Sequence, residues 1–335
     1  MTRLAKPIFL LLGLGLLGYV LSQADLGQIW QQIANLSALA LLSIFIIYML
    51  YFGADAVSWQ FTFETIPVNL RWTGRLYLIR MIGEAYNNIT PMGSVGGEPL
   101  KAWLLKSNYS VSLRDSGASL ILSKTASMFS LVLFAFGAMF VAFRHPNLTS
   151  THLSLMSGAF AWFVFNIIVF FLMQHLRLSS FTATRLGRSR FGESLAHLVA
   201  GMHGMDDQFA RFYGEHRAKL WWAMMWAMLN WALGAAELFA IFYFIGYPVT
   251  WTEAWLLESM VQLIRTVAFF IPAGLGAQEG TLMFAYAAIT GSPTPGVAAA
   301  LIRRFRELVW IGLSLLVGTR FQLAQSGTLE DGEGA

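Results

Sequence analysis

Long apolar runs recur along the chain, separated by short polar or charged stretches. Six of them approach the ~20 residues that a helix needs to cross the hydrocarbon core of a bilayer. They cover about residues 7–22, 38–61, 117–143, 153–175, 219–245 and 297–319. Since backbone polar groups cannot face lipid unpaired, runs of this length predict membrane-spanning helices. The pattern therefore predicts an all-α, polytopic integral membrane helical bundle.

The first run has a second interpretation. Arg3 and Lys6 precede it, and Ser22-Gln23-Ala24 follows it. A basic start, an apolar centre and a small-residue site are also typical of a cleaved secretory signal peptide. Under either interpretation, residue 25 emerges on the outer side of the membrane.

Lysine and arginine are distributed unevenly among the connections. Residues 23–37 and 246–257 contain neither, whereas residues 62–116 and 176–218 are rich in arginine. Basic connections stay on the cytoplasmic side of a membrane. We therefore predict a multi-pass protein of the bacterial inner (plasma) membrane, with both termini in the cytoplasm.

The runs predict a single transmembrane domain over residues 1–322. It divides into halves at about 1–150 and 151–322, and the second half includes an amphipathic cytoplasmic loop at 176–218. The acidic residues 323–335 are expected to be a disordered tail.

Composition supports a membrane protein. Of the 335 residues, 56% are hydrophobic and 12% are charged, whereas soluble domains carry about 25% charged residues. The absence of cysteine excludes disulfides and thiol catalysis. The net charge of +4 reflects loop cations, so we predict no nucleic-acid partner. We also predict no cofactor. Asp206-Asp207 is more typical of a solvated helix start than of a metal site, and no metal site is predicted.

Two segments combine short helical stretches with a proline and glycines. Residues 77–106 and 256–290 share the pattern P-x-G-x4-E. The predicted helix breaks are formed by Pro91, Gly93, Gly96 and Gly97 in the first segment and by Pro272, Gly274 and Gly276 in the second. Proline removes a helical hydrogen bond, and glycine adopts conformations that other residues resist. A broken helix at membrane depth must be buried in protein or line a wet cavity.

The surroundings of the two breaks also match. Glu84 and Arg265 each lie seven residues before the proline, and Lys124 and Arg303 each lie seven residues after a glycine. These matches indicate an internal duplication. The predicted orientation makes the two segments re-entrant from opposite sides, which is an inverted repeat with a site near the midplane. The alternative is that both segments are interfacial loops with amphipathic helices.

Polar side chains near the breaks lie on helical stripes. Ionisable groups inside a span are costly, so they pair with one another or line a pathway. The candidate substrate-binding residues are Arg80, Glu84, Asn87, Asn88, Glu98, Lys101, Lys124, Glu258, Gln262, Arg265, Gln278, Glu279, Arg303, Arg304, Arg306 and Glu307. Asp55 and Glu237 are further intramembrane carboxylates that could carry a proton. For each residue, the alternative role is structural pairing within the bundle.

Arginines and half-helix N-termini suit a phosphate or carboxylate group. The apolar surroundings suit acyl or isoprenoid chains. An amphiphile with a polar or anionic head group meets both demands.

The sequence resembles the lysylphosphatidylglycerol synthase transmembrane-domain family of flippase-like membrane proteins, closest to its branch associated with hopanoid biosynthesis. The resemblance is carried by GEAYNNITPMGSVGGEPLKAWLL at 83–105, ESMVQLIRTVAFFIPAGLGAQEG at 258–280 and ALIRRFREL at 300–308, and covers about residues 7–320. The family implies a lipid-translocating module. In the full synthase a separate cytoplasmic domain makes the aminoacylated lipid, and we expect this chain to lack that domain and its activity. Lys124 departs from the arginine expected in many relatives.

Three hypotheses follow. The first is a flippase or transporter of membrane lipids that works passively or by ion coupling, since no G-x4-G-K-[ST] motif for a nucleotide occurs. In it, Arg304→Ala abolishes translocation and leaves the fold intact. The second is a membrane-embedded transferase acting on a lipid head group. The third is a non-catalytic partner of lipid-biosynthesis enzymes that make hopanoids or envelope lipids.

Overall fold

The computed structural model describes residues 5–89, 97–175, 214–268 and 271–330. Within these ranges all regular structure is helical. The α-helices are α1 (Ala5–Ser22), α2 (Leu26–Ala34), α3 (Ala38–Gln60), α4 (Leu70–Ile89), α5 (Gly97–Tyr109), α6 (Leu113–Ala142), α7 (Ser150–His175), α8 (Arg217–Phe244), α9 (Trp251–Val267), α10 (Ala277–Thr290) and α11 (Thr294–Glu330), and a 3-10 turn covers Pro272–Gly274. The all-α prediction is confirmed.

Among the described residues, four helices are long and apolar enough to cross a membrane. They are α3, α6, α8 and the Ser150–Val169 part of α7, and they coincide with four of the six predicted spans. The first predicted span is a shorter apolar helix over Leu11–Ser22. The sixth lies within α11, whose first half carries the charged residues Arg303, Arg304, Arg306 and Glu307. α11 continues to Glu330, so helix extends into the segment from 323 onward for which the sequence predicted disorder.

Side chains at the helix starts explain several boundaries. The hydroxyls of Ser37, Ser112 and Thr250 accept hydrogen bonds from the first free backbone N–H groups of α3, α6 and α9. Such caps satisfy donors that have no partner inside the helix. Serine and threonine are favoured at this position, so these starts are local properties of the sequence.

The order of helices repeats. The set α3, α4, break, α5, α6 recurs as α8, α9, break, α10, α11. The corresponding helices begin 179 to 181 residues apart. This constant displacement supports the internal duplication, with α1, α2 and α7 outside the duplicated set.

The first helices of the two halves pack side by side in opposite directions. The Ser58 hydroxyl donates to the Ala223 carbonyl at 2.7 Å, and the Asn230 amide donates to the Tyr51 carbonyl at 2.8 Å. The partner number rises on α8 as it falls on α3, which makes the pair antiparallel. Further contacts join the two halves. α4 of the first half packs on α11 of the second, and α9 of the second packs on α6 of the first. Equivalent helices that run in opposite directions are the geometry of inverted repeats.

The outward faces of the long helices are apolar. On α6, the exposed residues Leu133, Phe136 and Phe140 lie at i, i+3 and i+7. This spacing places them on one face of the helix. Large exposed apolar surfaces mark contact with a membrane or a partner, and here they belong to a helix that is long enough to span.

Candidate functional site

The second helix break is a sharp change of backbone direction. α9 ends at Val267, and Ala273, Gly274 and Gly276 have φ values of 52°, 60° and 76°. Gly276 also approaches α1 closely, because an added Cβ would lie 2.4 Å from the Leu16 Cβ. A side chain at Gly276 is therefore excluded by both space and conformation. The predicted break at Pro272, Gly274 and Gly276 coincides with this structure.

Glu279 closes the start of α10. Its Oε2 accepts a hydrogen bond from the Gly276 backbone N–H at 2.9 Å. Gln278 beside it is buried, and its Nε2 has no hydrogen-bond partner among the described residues.

At the first predicted break, α4 is described up to Ile89 and α5 begins at Gly97. Pro91, Gly93 and Gly96 lie outside the described residues. Gly97 packs directly on α4, because an added Cβ would lie 1.9 Å from the Gly83 carbonyl oxygen. The Gly97 N–H donates to the Asn87 side-chain oxygen at 2.7 Å, which ties the two sides of the break together.

Arg303 lies at the centre of a buried ion-pair network in the second half. Its guanidinium is 3.1 Å from Glu237 and 2.7 Å from Glu258, and it donates to the Gly234 carbonyl at 2.9 Å. Gln262 donates to the second oxygen of Glu258 at 2.6 Å. The arginine and both glutamates are buried, so α8, α9 and α11 are joined by charges that water cannot screen.

Arg304 joins α11 to the second break. It donates to Glu279 at 2.6 and 2.8 Å, to the Ala273 carbonyl at 3.0 Å and to Glu307 at 2.9 Å. Without Arg304, the buried Glu279 would lose its counter-ion, which destabilises a protein strongly. Arg304→Ala is therefore expected to weaken the fold, contrary to the expectation from sequence.

Arg306 faces the first half. Its Nε lies 2.8 Å from Glu237, and its guanidinium stacks 3.5 Å from the centre of the Tyr48 ring. Arg303, Arg304 and Arg306 thus all have close partners within the protein. The structure brings these predicted residues together, but as parts of a network between helices.

The first half has a smaller cluster around its break. Arg80 forms an ion pair with Asp55 of α3. Glu98, in the first turn of α5, is 3.0 Å from Lys101 and 3.7 Å from Lys124. Lys101 is buried, whereas the Lys124 side chain is 48% exposed. Lys124 is therefore a cation that could contact a ligand without first breaking a buried pair.

Glu84 and Asn88 lie between the two clusters, on α4. Glu84 accepts a hydrogen bond from Asn87 at 3.3 Å, and the Asn88 amide donates to the Glu84 carbonyl at 2.9 Å. The Glu84 carboxylate acts electrostatically on Lys101 and Lys124 in its own half and on Arg265 in the other. Glu84 and Arg265, matched by the duplication, therefore carry opposite charges at the junction of the halves.

Arg265 differs from the other arginines of the second half. It is 3.8 Å from Glu307, and it also interacts electrostatically with Tyr48 and Tyr51 of α3 and Glu84 of α4. Despite these neighbours from three other helices, its side chain is 37% exposed. Arg265 thus combines neighbours from three other helices with a side chain that is only partly covered.

The sequence reasoning missed Tyr48 and Tyr51. Both lie in the apolar run of α3, where the pattern indicates aromatic side chains that face lipid or pack in the core. With Asp55 they fall at i, i+3 and i+7, which places all three on one stripe of the helix. This shared stripe with Asp55 is the sequence feature that could have identified the two tyrosines as candidate site residues.

No group of three histidine or acidic side chains in the described ranges is close enough to hold a metal ion. Asp206 and Asp207, the pair considered from sequence, lie outside those ranges. The cluster residues are instead carboxylates paired with arginine or lysine.

Comparison with known proteins agrees with a membrane role. The chain is 20% identical over 293 residues to a UPF0104 membrane protein of Methanothermobacter thermautotrophicus, covering 83% of this chain and 84% of the relative. No solved structure matches. Residues 8–315 match the lysylphosphatidylglycerol synthase TM region, so the chain is a membrane protein that belongs to this family.

Proposed function

We propose that this protein moves a membrane lipid with a polar or anionic head group between leaflets. In this proposal the head group passes between the two helix breaks, along the charged side chains that adjoin them. The observation that carries the proposal is the position of Arg265, which is enclosed by groups from α3, α4 and α11 and yet accessible. Membership of a family named for a lipid synthase's membrane region supports a lipid as the cargo.

Arg265 and Lys124 are the residues that we assign to the head group. Both retain exposed side chains, and each has one glutamate at the outer limit of an ion pair, 3.8 Å and 3.7 Å away. A guanidinium and an ammonium both bind phosphate, the first with two parallel hydrogen bonds. Glu84, Asn88 and the two tyrosines of α3 complete a polar surface that can replace water around the head group.

The buried arginines of α11 serve a different purpose in this proposal. Moving a head group across hydrocarbon is costly because charge is poorly solvated there. A polar route must therefore stay open between helices that would otherwise collapse on one another. The paired residues Arg303, Glu237 and Glu258 hold α8, α9 and α11 in place around that route.

In this mechanism the protein moves the lipid without changing any of its covalent bonds. Transport is passive or ion-coupled. Asp55 and Glu237, considered as proton carriers, are both paired with arginine. We place the protein in the bacterial inner membrane with cytoplasmic termini. The resemblance to the hopanoid-associated branch makes hopanoid lipids, and complexes with the enzymes that make them, the first ones to assay.

The test is a leaflet-exchange assay in proteoliposomes with a fluorescent phosphatidylglycerol. Arg265→Ala should slow exchange roughly tenfold, because it removes a hydrogen bond between charged groups. Arg144→Ala is the matched control. That arginine stacks 3.9 Å from the Phe140 ring at an exposed position, away from both breaks.

Three results would overturn the proposal. One is exchange by the wild-type protein no faster than in empty liposomes, tested also with hopanoid lipids. Another is equal exchange by Arg265→Ala and wild type. The third is conversion of the labelled lipid to a new covalent product, detected by mass spectrometry, which would identify a transferase.

A further inference from the structure

A large apolar cavity lies in the second half, apart from the charged clusters. It has a volume of about 630 Å³ and is bounded by α6, α7, α9 and α10, with α1 at one end. Residues that line it include Ala138, Leu155, Ala159, Leu263, Phe284 and Ala288. Cavities of about 300–1,000 Å³ are typical of ligand sites. We call it the side cavity.

The lining offers a ligand almost no polar contact. Ser259 and Thr281 are two of the three polar side chains in it, and each donates its hydroxyl to a carbonyl of its own helix, Trp255 and Ala277 respectively. The third, His152, interacts with Thr149 at the start of α7. The side cavity therefore suits hydrocarbon and disfavours a polar molecule.

The length of the side cavity fits a hydrocarbon chain. Its lining extends from Leu256 on α9 to Ala268, the residue that follows the end of α9, and this separation corresponds to about 18 Å at the rise of a helix. Half of the hydrocarbon core of a bilayer measures about 15 Å. A chain that fills one leaflet would thus fit along the cavity.

The helices that cover the side cavity lie outside the duplicated set. Leu16 of α1 and Leu155, Met156 and Ala159 of α7 form part of its wall. The wall of the side cavity thus includes two helices besides those of the repeat described above.

The side cavity and the charged site share the second break. Gly276 and Ala277 line the cavity, and Glu279 in the same turn faces Arg304 on α11. The first turn of α10 thus contacts the hydrocarbon space through Gly276 and Ala277 and the charged cluster through Glu279. An amphiphile has the same arrangement, with a polar head adjoining an apolar chain.

We propose that the side cavity receives one hydrocarbon chain of the lipid whose head group is carried between the breaks. The inference rests on the proposed function and adds to it. The tail does not stay wholly in bulk lipid but enters the protein beside α7. Filling the cavity should therefore hinder transport without altering any charged residue.

The experiment uses phosphatidylglycerol with a photoreactive diazirine in one acyl chain, incorporated into liposomes with the full-length protein. After irradiation, peptides carrying the label are identified by mass spectrometry. We expect labelling of cavity residues on α7, α9 and α10 that falls when unlabelled phosphatidylglycerol is added. Ala159→Phe, which fills the cavity, should reduce this labelling and slow leaflet exchange at least about threefold.

Ala161→Phe is the matched control, because Ala161 lies on the same helix, is exposed and does not line the cavity. It should leave labelling and exchange unchanged. Cavity labelling no stronger than on the exposed face of α6 would overturn the inference. So would labelling that unlabelled lipid does not reduce, which indicates a resident structural lipid, or equal behaviour of the two variants.

The labelling result does not require transport. Absence of exchange by the wild-type protein, with competed labelling in the cavity, would defeat the proposed function and leave a lipid-chain site. Normal exchange without cavity labelling would defeat only the site.

Discussion

The two halves of the molecule share an order of helices but differ in how they hold charge. In the second half, Arg303, Arg304 and Arg306 form a network with glutamates that is mostly buried. In the first half, the cations near the break are Arg80 and two lysines, and Lys124 is largely exposed. The same scaffold thus supports a rigid cluster on one side and a more open one on the other.

This difference separates two roles for charge inside a membrane protein. A guanidinium can satisfy several acceptors at once in fixed geometry, whereas an ammonium is a compact, strongly hydrated charge. Arginine therefore suits the joints between α8, α9, α10 and α11. The accessible groups Lys124 and Arg265 suit contact with a ligand that comes and goes.

The most severe test of this comparison is Arg303→Leu. It leaves Glu258 buried without a counter-ion and Glu237 with Arg306 alone, and breaking such a buried pair costs about 3–5 kcal/mol. We expect a large loss of folded protein and of thermal stability, measured by size-exclusion chromatography of detergent-solubilised protein after heating. Lys124→Met should change stability little, since its side chain is half exposed. Equal stability of the two variants would show that the halves do not differ as described.

The close packing at the two breaks provides an intermediate test. In Gly97→Ala and Gly276→Ala the new Cβ meets backbone or Cβ atoms at 1.9 Å and 2.4 Å, so each should cost about 1–3 kcal/mol. Gly274→Ala has open space around it and a φ of 60°, so only backbone strain of about 1 kcal/mol or more is expected. Thermal unfolding of the three variants should rank Gly274→Ala as the mildest. If it proves the most damaging, then conformation rather than close approach governs the second break.

The smallest expected effect is a difference in how the starts of the equivalent helices α4 and α9 respond to pH. At α9, Glu253 pairs with Thr250 in a capping box and lies 3.3 Å from His145. Burial acts to raise the pKa of Glu253, but hydrogen bonds from Thr250 and His145 outweigh it and leave the pKa below its usual value. At α4, the Asn69 side chain caps the Trp72 N–H at 2.9 Å, and no carboxylate occupies the matching position.

A carboxylate with a lowered pKa stabilises the folded state at neutral pH, and this contribution is lost as the pH falls through the lowered value. Lowering the pH through and below the usual pKa range of a glutamate should therefore loosen the start of α9 and leave the start of α4 unchanged. Hydrogen exchange of residues 250–256 and 69–76 at several pH values measures the difference. In Glu253→Gln the α9 response should disappear, and its persistence would assign the pH effect to another group.

Much of the architecture was predictable because it depends on local rules. Length and apolarity located α3, α6, α7 and α8, and the proline and glycines at 272–276 located the second break. The matched motifs also indicated the duplication, which the helix starts and the antiparallel pairing of α3 with α8 support.

The roles within the candidate site were less predictable. The sequence grouped Arg265 with Arg303, Arg304 and Arg306 as contacts for a head group. The structure instead pairs the last three with buried glutamates from other helices. Spacing along one helix identifies a stripe, but it does not identify which helix that stripe will face.

The sequence by itself determined that this chain forms membrane-spanning helices with two glycine-rich breaks in a repeated arrangement. Helix formation, capping and breaking depend on neighbours within a few positions, and the sequence shows those directly. Only the tertiary structure decided which charges neutralise one another, which remain accessible at Arg265 and Lys124, and where α1 and α7 enclose an apolar cavity. Charge pairing and burial depend on side chains brought together from distant helices.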